Sequence, residues 1–268
     1  MRGCIIYIKI SLSFLGERLM YCNSPLEIRR RTARLFYIDS DNEVFILVMD
    51  ISDLIMQLKS ENIKEKGAAI SQLSRIAFRS PDDVIPAIPH FGEGLTSSFN
   101  EIVYRSAWAV GQVAHKRADL VNSFVPTLVT LFQHPDTKAR CHAVWAVGRI
   151  GRANGSSIKE YMDDVFSLAR DKAPKVRQNM IWACENIATN YPELVEHKLD
   201  LFREMLFDND VEQVRREAPE IFRVLGTRIP QKVAPYLSDL HELLSDNDKV
   251  VKIHAEGAIK SINKGLSL

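Results

Sequence analysis

Apolar and small residues recur at helical spacing along most of the chain. Around Trp145 they occupy Ala139, Ala143, Ala146 and Ile150, which fall on one face of an α-helix. Between stretches of this kind lie others, FVPTLVTLF, YMDDVFSLA, ELVEHKLDLFREMLF and VAPYLSDLHELL, which are amphipathic in their own right. Short polar turns, HPDTK, RDKAP, FDNDVE and SDNDKV, separate successive pairs, and their Asp and Asn residues are natural helix N-caps. No Val/Ile alternation of strand type runs through residues 61–262. The pattern predicts helix after helix across that span.

The helices repeat. SAWAVGQVA, AVWAVGRIG and MIWACENIA align on Trp108, Trp145 and Trp182, each 37 residues from the next. Arg140 and Arg177 stand five residues before their tryptophans; Arg215 follows 38 residues after Arg177, and Lys252 another 37 on. Val103 and Lys66 hold the same slot upstream. Six copies are expected, starting near residues 61, 98, 135, 172, 209 and 247. Asp171, Asp208 and Asp246 close one copy and open the next. A helix pair cannot bury its apolar faces alone, whereas stacked pairs can, so the expectation is an all-α solenoid, an α-α superhelix.

These residues resemble a family. The pattern (V/A)-R-x-x-A-x-W-A-x-G-x-I-G after an Asp-containing turn is similar to HEAT repeats of the armadillo-type solenoids, in particular the HEAT-like subgroup associated with phycobilisome lyases. The resemblance covers about residues 50–263. It implies a scaffold or adaptor, with an Asp–Arg ladder knitting successive repeats through Arg140, Arg177, Arg215 and Lys252, and with Trp108, Trp145 and Trp182 packed between repeats. Val103 interrupts that ladder. The resemblance also implies that the second helices line the concave surface.

The ends depart from the pattern. Residues 24–60 read as a degenerate capping repeat. Ser24–Phe36 (SPLEIRRRTARLF) carries an N-cap Ser, Pro at the first helical position and Glu in the first turn. Ser52–Leu58 matches the end of a second helix, and YIDSDNEVFILVM between them fits either a helix extension or a short hairpin. Pro219 is expected to kink the fifth first helix. The repeats occupy 61–263, and 264–268 are expected to fray. Residues 1–23 read as an extension of unassigned structure, with Met20 an alternative start. Lys9 breaks their apolar run, so no signal peptide or anchor is expected; the chain is expected in the cytoplasm, with no membrane association.

Composition narrows the functions. The 268 residues carry 35 basic and 34 acidic side chains, a net charge of +1, which excludes polyanion binding through bulk charge. The four cysteines have no CxxC spacing and point to no metal site. GxGxxG, GxxxxGK[ST], HExxH and GxSxG are all absent. No catalytic residue, cofactor or metal is therefore expected, and the chain reads as a non-enzymatic scaffold. His142 and His254 share one repeat slot, read as a solvated face.

Charge is unevenly shared. The first helices sum to +9 and the second helices to −8. With the second helices concave, the groove would be mildly acidic and would suit a basic or neutral protein or peptide. The candidate partner-binding residues are Glu160, Asp163, Asp164, Glu193, Glu196, Asp200, Glu204, Asp239 and Glu242. Two resemblances supply alternatives. DNA alkylation-repair glycosylases are HEAT-like and of similar length, but require a basic concave groove, so nucleic acid is disfavoured. The phycobilisome subgroup suggests chromophore attachment, for which no residue argues specifically.

Overall fold

In the computed structural model the backbone is described for residues 7–11, 32–38 and 43–49, and residues 50–267 are described in full. Strands β1 (Tyr7–Ser11), β2 (Thr32–Ile38) and β3 (Glu43–Asp50) form an antiparallel sheet in the order β1-β3-β2. Leu47 is the register partner of both Tyr7 and Leu35. The helix expected over Ser24–Phe36 is thus a strand from Thr32 onward; its first part lies outside the described residues. The β-branched and aromatic run EVFILVM favours a pleated strand over helix extension. β3 passes without a linker into α1 (Ile51–Gln57), a helix that the sequence did place.

From there the described chain is helical. The long helices are α2 (Ile63–Arg79), α4 (Asn100–Arg117), α6 (Thr137–Ala153), α8 (Pro174–Asn190) and α13 (Lys249–Leu266). Between them run α3 (Ile88–Leu95), α5 (Val125–Thr130), α7 (Met162–Ser167), α9 (Leu199–Met205), α11 (Pro230–Val233) and α12 (Leu237–Glu242). These second helices are shorter than the sequence suggested, because 3-10 turns such as Leu131–Gln133 and Leu168–Arg170 take over part of each segment. α13 continues through Leu266, so residues 264–266 are helical rather than frayed.

The fifth long segment is built differently. A π-helical turn, Val211–Arg215, precedes α10 (Ala218–Gly226), and Pro219 sits in the first turn of α10. Proline is tolerated there because that N–H has no helical partner anyway. The chain breaks before Pro219 instead of kinking at it. The π turn takes up the one extra residue that made the Arg177-to-Arg215 interval 38 instead of 37.

One continuous core runs from Ile51 to Ile262, made of Ala, Val, Ile, Leu and Phe from both kinds of helix. Cys141 and Cys184 are buried in it as free thiols, and burial pushes Cys141 up to about 11. Turn aspartates cap the long helices: Asp136 accepts from the N–H groups of Lys138 (2.7 Å) and Ala139 (3.1 Å), and Asp248 from those of Val250 (2.9 Å) and Val251 (3.1 Å).

The repeats are tied by an arginine ladder. The Arg140 guanidinium donates in bidentate fashion to Asp171, at 2.7 and 2.9 Å, and to the carbonyl of His134 at 2.8 Å. Arg177 does the same to Asp208, at 3.1 and 2.9 Å. Arg215 pairs with Asp246 at 3.0 Å, and Arg216 with Asp248 at 2.7 Å. Lys252 makes no ion pair among the described residues. His142 and His254 do not simply face solvent: each ring Nδ1 donates to a carbonyl of the preceding long segment, Tyr104 at 2.8 Å and Arg216 at 2.6 Å. Burial lowers His142 and so favours this neutral, bonded form.

Candidate functional site

The long helices approach one another at backbone distance. A Cβ placed on Gly148 would stand 2.5 Å from the Ala183 Cα of the next long helix, and one on Gly111 would collide with the Trp145 ring. The second helices of neighbouring repeats stand farther apart at the backbone and are joined by side chains, as in the 2.8 Å hydrogen bond from the Tyr236 hydroxyl to Asp200. The long-helix layer is therefore the tighter of the two.

That layer carries an open depression of about 420 Å³, lined by His115, Arg149, Arg152, Trp182, Asn186 and Asn190, among others. The Trp145 and Trp182 rings stack at 5.8 Å between centroids. The Arg149 guanidinium lies over both, 4.4 Å from the Trp145 centroid and 5.6 Å from that of Trp182. Arg152 Nη1 donates to Asn186 Oδ1 at 3.2 Å, and Asn190 Nδ2 donates to the Arg152 carbonyl at 2.7 Å. Phe78, itself exposed, stacks flat on His115 at 4.9 Å. Burial, followed by the charges of Arg149, Lys116 and Arg152, lowers His115, so its imidazole is neutral at neutral pH. The result is a cationic shelf with aromatic walls.

Residues 125–223 match the family of HEAT repeats. Over that stretch the chain is similar to HEAT repeats. Its solved neighbours share the stacked-helix architecture. A designed armadillo repeat protein superposes with a TM-score of 0.61 at 19% identity, covering 80% of this chain and 100% of its own. Computationally designed armadillo repeat proteins for modular peptide recognition give 0.60 at 20%, covering 79% and 99%. An engineered protein from a structural genomics consortium gives 0.66 at 24%, covering 81% and 100%. No curated protein matches the sequence.

On this helical stack the acidic candidates lie on the short-helix layer, and most are already engaged there. Asp163 pairs with Lys198 at 3.6 Å, Glu196 with Lys232 at 2.6 Å, Asp239 with Arg203 at 2.9 Å, and Glu204 with Arg170. Asp200 accepts from Tyr236. Glu160 stands beside the Tyr161 hydroxyl and helps to raise it, after burial. Asp164, Glu193 and Glu242 remain exposed and unpaired among the described residues. The acidic stripe is thus largely a set of links between repeats. Trp145 and Trp182 come together, while Trp108 has no aromatic partner among the described residues. Sequence reasoning overlooked Arg149. Its signal was the position one turn after each repeated tryptophan, which is polar but different in each copy: Gln112, Arg149, Asn186.

Among the described residues no group of His, Cys, Asp and Glu is arranged to hold a metal ion, and no helix is long and apolar enough to cross a membrane.

Next to the shelf lies an acidic patch. Glu185 occupies the repeat position held by Gly111 and Gly148. Its Oε1 is buried without a hydrogen-bond partner, and burial, then the charges of Glu217 and Glu220, raise its carboxyl well above the ordinary value of 4.5. A raised folded-state value means stability that is fully present below the ordinary glutamate range and lost as pH rises through the folded value. Glu185→Gln is expected to raise the melting temperature by about 2–4 °C at pH 7.5, from relief of about 1 kcal/mol of unpaired burial. The gain should vanish at pH 4; a pH-independent difference would show that the charge is not the cause.

Proposed function

We propose that this HEAT-repeat chain is a non-enzymatic scaffold that binds a protein or peptide partner across the layer of long helices. In a curved two-layer stack the more closely spaced layer is the inner one, because it spans the shorter arc. Close packing at Gly111 and Gly148 supports the long helices in that place, in exchange for the second helices that the family resemblance implied. The single observation that carries the reading is the depression, where aromatic rings, side-chain amides and unpaired cations converge on the tight layer. The neighbours described as designed for modular peptide recognition lend support at the level of the fold.

The reading is tested with random dodecapeptides displayed on phage and selected on the whole protein. Ala153 lines the depression and is exposed, so Ala153→Trp fills it without changing charge. Selected peptides should lose at least tenfold in affinity on Ala153→Trp and keep their affinity on Asp164→Lys, which alters the opposite layer. The reverse pattern would return the partner to the second helices.

A further inference from the structure

Arg149 is a guanidinium without a counterion. Its Nε and Nη1 are buried and have no hydrogen-bond partner, and among the described residues no carboxylate pairs with it. The Trp145 and Trp182 rings beneath it account for where the group lies. They leave the in-plane N–H groups unanswered, and π faces do not replace those bonds. Most other arginines packed between repeats here, Arg140, Arg177, Arg215 and Arg216, hold an aspartate. Arg149 and Arg152 instead stand together with no acid between them, and each lines the same depression. Burial, then the charge of Arg152, lowers Arg149 from its ordinary value, the direction expected of a cation lacking an anion.

We propose that the depression is a carboxylate-recognition site, in which Arg149 and Arg152 take an aspartate or glutamate side chain of a bound peptide while Trp182 and Phe78 pack against its apolar flanks. This rests on the reading of the long-helix layer as the partner surface. It reverses the sign of partner charge that the sequence suggested. With Nε and Nη1 buried, a carboxylate meets the guanidinium fork of Arg149 at Nη2 and shares the charge of Arg152, which lines the same depression. Glu185, Glu217 and Glu220, grouped on the neighbouring long segments, set the limit. A nucleic-acid backbone tracking along the layer would run from the cations into these acids. A single acidic side chain stops at Arg149.

The test uses the whole protein and three capped hexapeptides, of glutamate, glutamine and lysine, with inorganic phosphate as a fourth probe. The readout is the indole N–H signals of Trp145 and Trp182 in nitrogen–proton correlation spectra. Hexaglutamate should shift both signals saturably, more weakly as salt is raised. Arg149→Gln should weaken that binding about tenfold or more, and Arg149→Lys, which keeps charge but loses the fork, by less. Equal shifts with hexaglutamine, or with hexalysine, would overturn the carboxylate assignment while leaving the layer as a peptide surface. Saturation by phosphate at concentrations where hexaglutamate is silent would overturn it in favour of a phosphate group. If no probe moves the indole signals while the dodecapeptides bind elsewhere, both this inference and the reading it rests on fail.

Discussion

Asp171→Ala is expected to cost the folded state about 3–5 kcal/mol, the range for removing one partner of a buried ion pair. The Arg140 and Asp171 side chains are only 6% and 9% exposed, so the abandoned guanidinium cannot turn to water. It would keep the carbonyls of His134 and Pro135, which supply acceptors but no compensating charge. The same substitution also removes the acceptor of the Ala173 N–H, at 2.8 Å. Asp208→Ala and Asp246→Ala should each cost less than Asp171→Ala, since their rungs are more exposed, at 15% and 18% and at 23% and 11%. Urea unfolding of the three variants checks the order. Replacing both partners, as Arg140→Met with Asp171→Leu, should recover much of the loss, because the unpaired charge is gone. A double variant as unstable as the single would show that the ladder is worth more than the cost of orphaning a charge.

The rung also carries a pH dependence. Burial alone would raise the Asp171 carboxyl, but the Arg140 hydrogen bonds and the Ala173 N–H hold it below its ordinary value of 3.8. A depressed folded-state value gives stability that is present above the ordinary aspartate range and lost as pH falls through the folded value. Acid destabilisation should therefore set in below about pH 4 and be shallower in Asp171→Asn.

Gly148→Val is expected to be the second most damaging change, costing about 3 kcal/mol through overpacking. The nearest atoms to a new Cβ are the Ala183 Cα at 2.5 Å and Cβ at 2.6 Å, with the Ala183 carbonyl carbon at 3.3 Å. Backbone on a neighbouring helix cannot swing away as a side chain can, so α6 and α8 must separate. Even Gly148→Ala should destabilise, although alanine gains about 1 kcal/mol over glycine inside a helix. Gly257→Ala is the matched control. It lies inside α13, and its nearest neighbour is the flexible Arg223 Cδ at 3.6 Å, so the helix gain should appear intact. Hydrogen exchange should localise the Gly148→Val loss to α6 and α8. Opposite signs at the two glycines identify interhelical contact as the cause; equal signs would refute it.

Much of the stack was legible along the chain because its interactions are periodic. A rung such as Arg177–Asp208 recurs at nearly fixed sequence separation, so the repeat length exposes it before any contact is known. The turn caps at Asp136 and Asp248 are local in the same way, since donor and acceptor lie two or three residues apart. The N-terminal sheet was harder. Thr32–Phe36 follows a segment with good helix-start signals, and strand pairing with β3 outweighs that local preference. The acidic candidates were misjudged for a different reason. Counting charges by helix cannot tell a free carboxylate from one held by Lys232 or Arg203 of another repeat.

By itself the sequence determined that most of the chain is a stack of helix pairs, and which arginines and tryptophans recur. Those follow from side-chain periodicity and capping, which act within a few residues. Only the tertiary structure decided which layer is the tighter, that Arg149 lies across two stacked indoles without an acid, and that Glu185 fills a position its sister repeats leave to glycine. These depend on how closely one helix approaches the next. That distance is set by atoms about 37 residues apart in the chain, which close packing brings into contact.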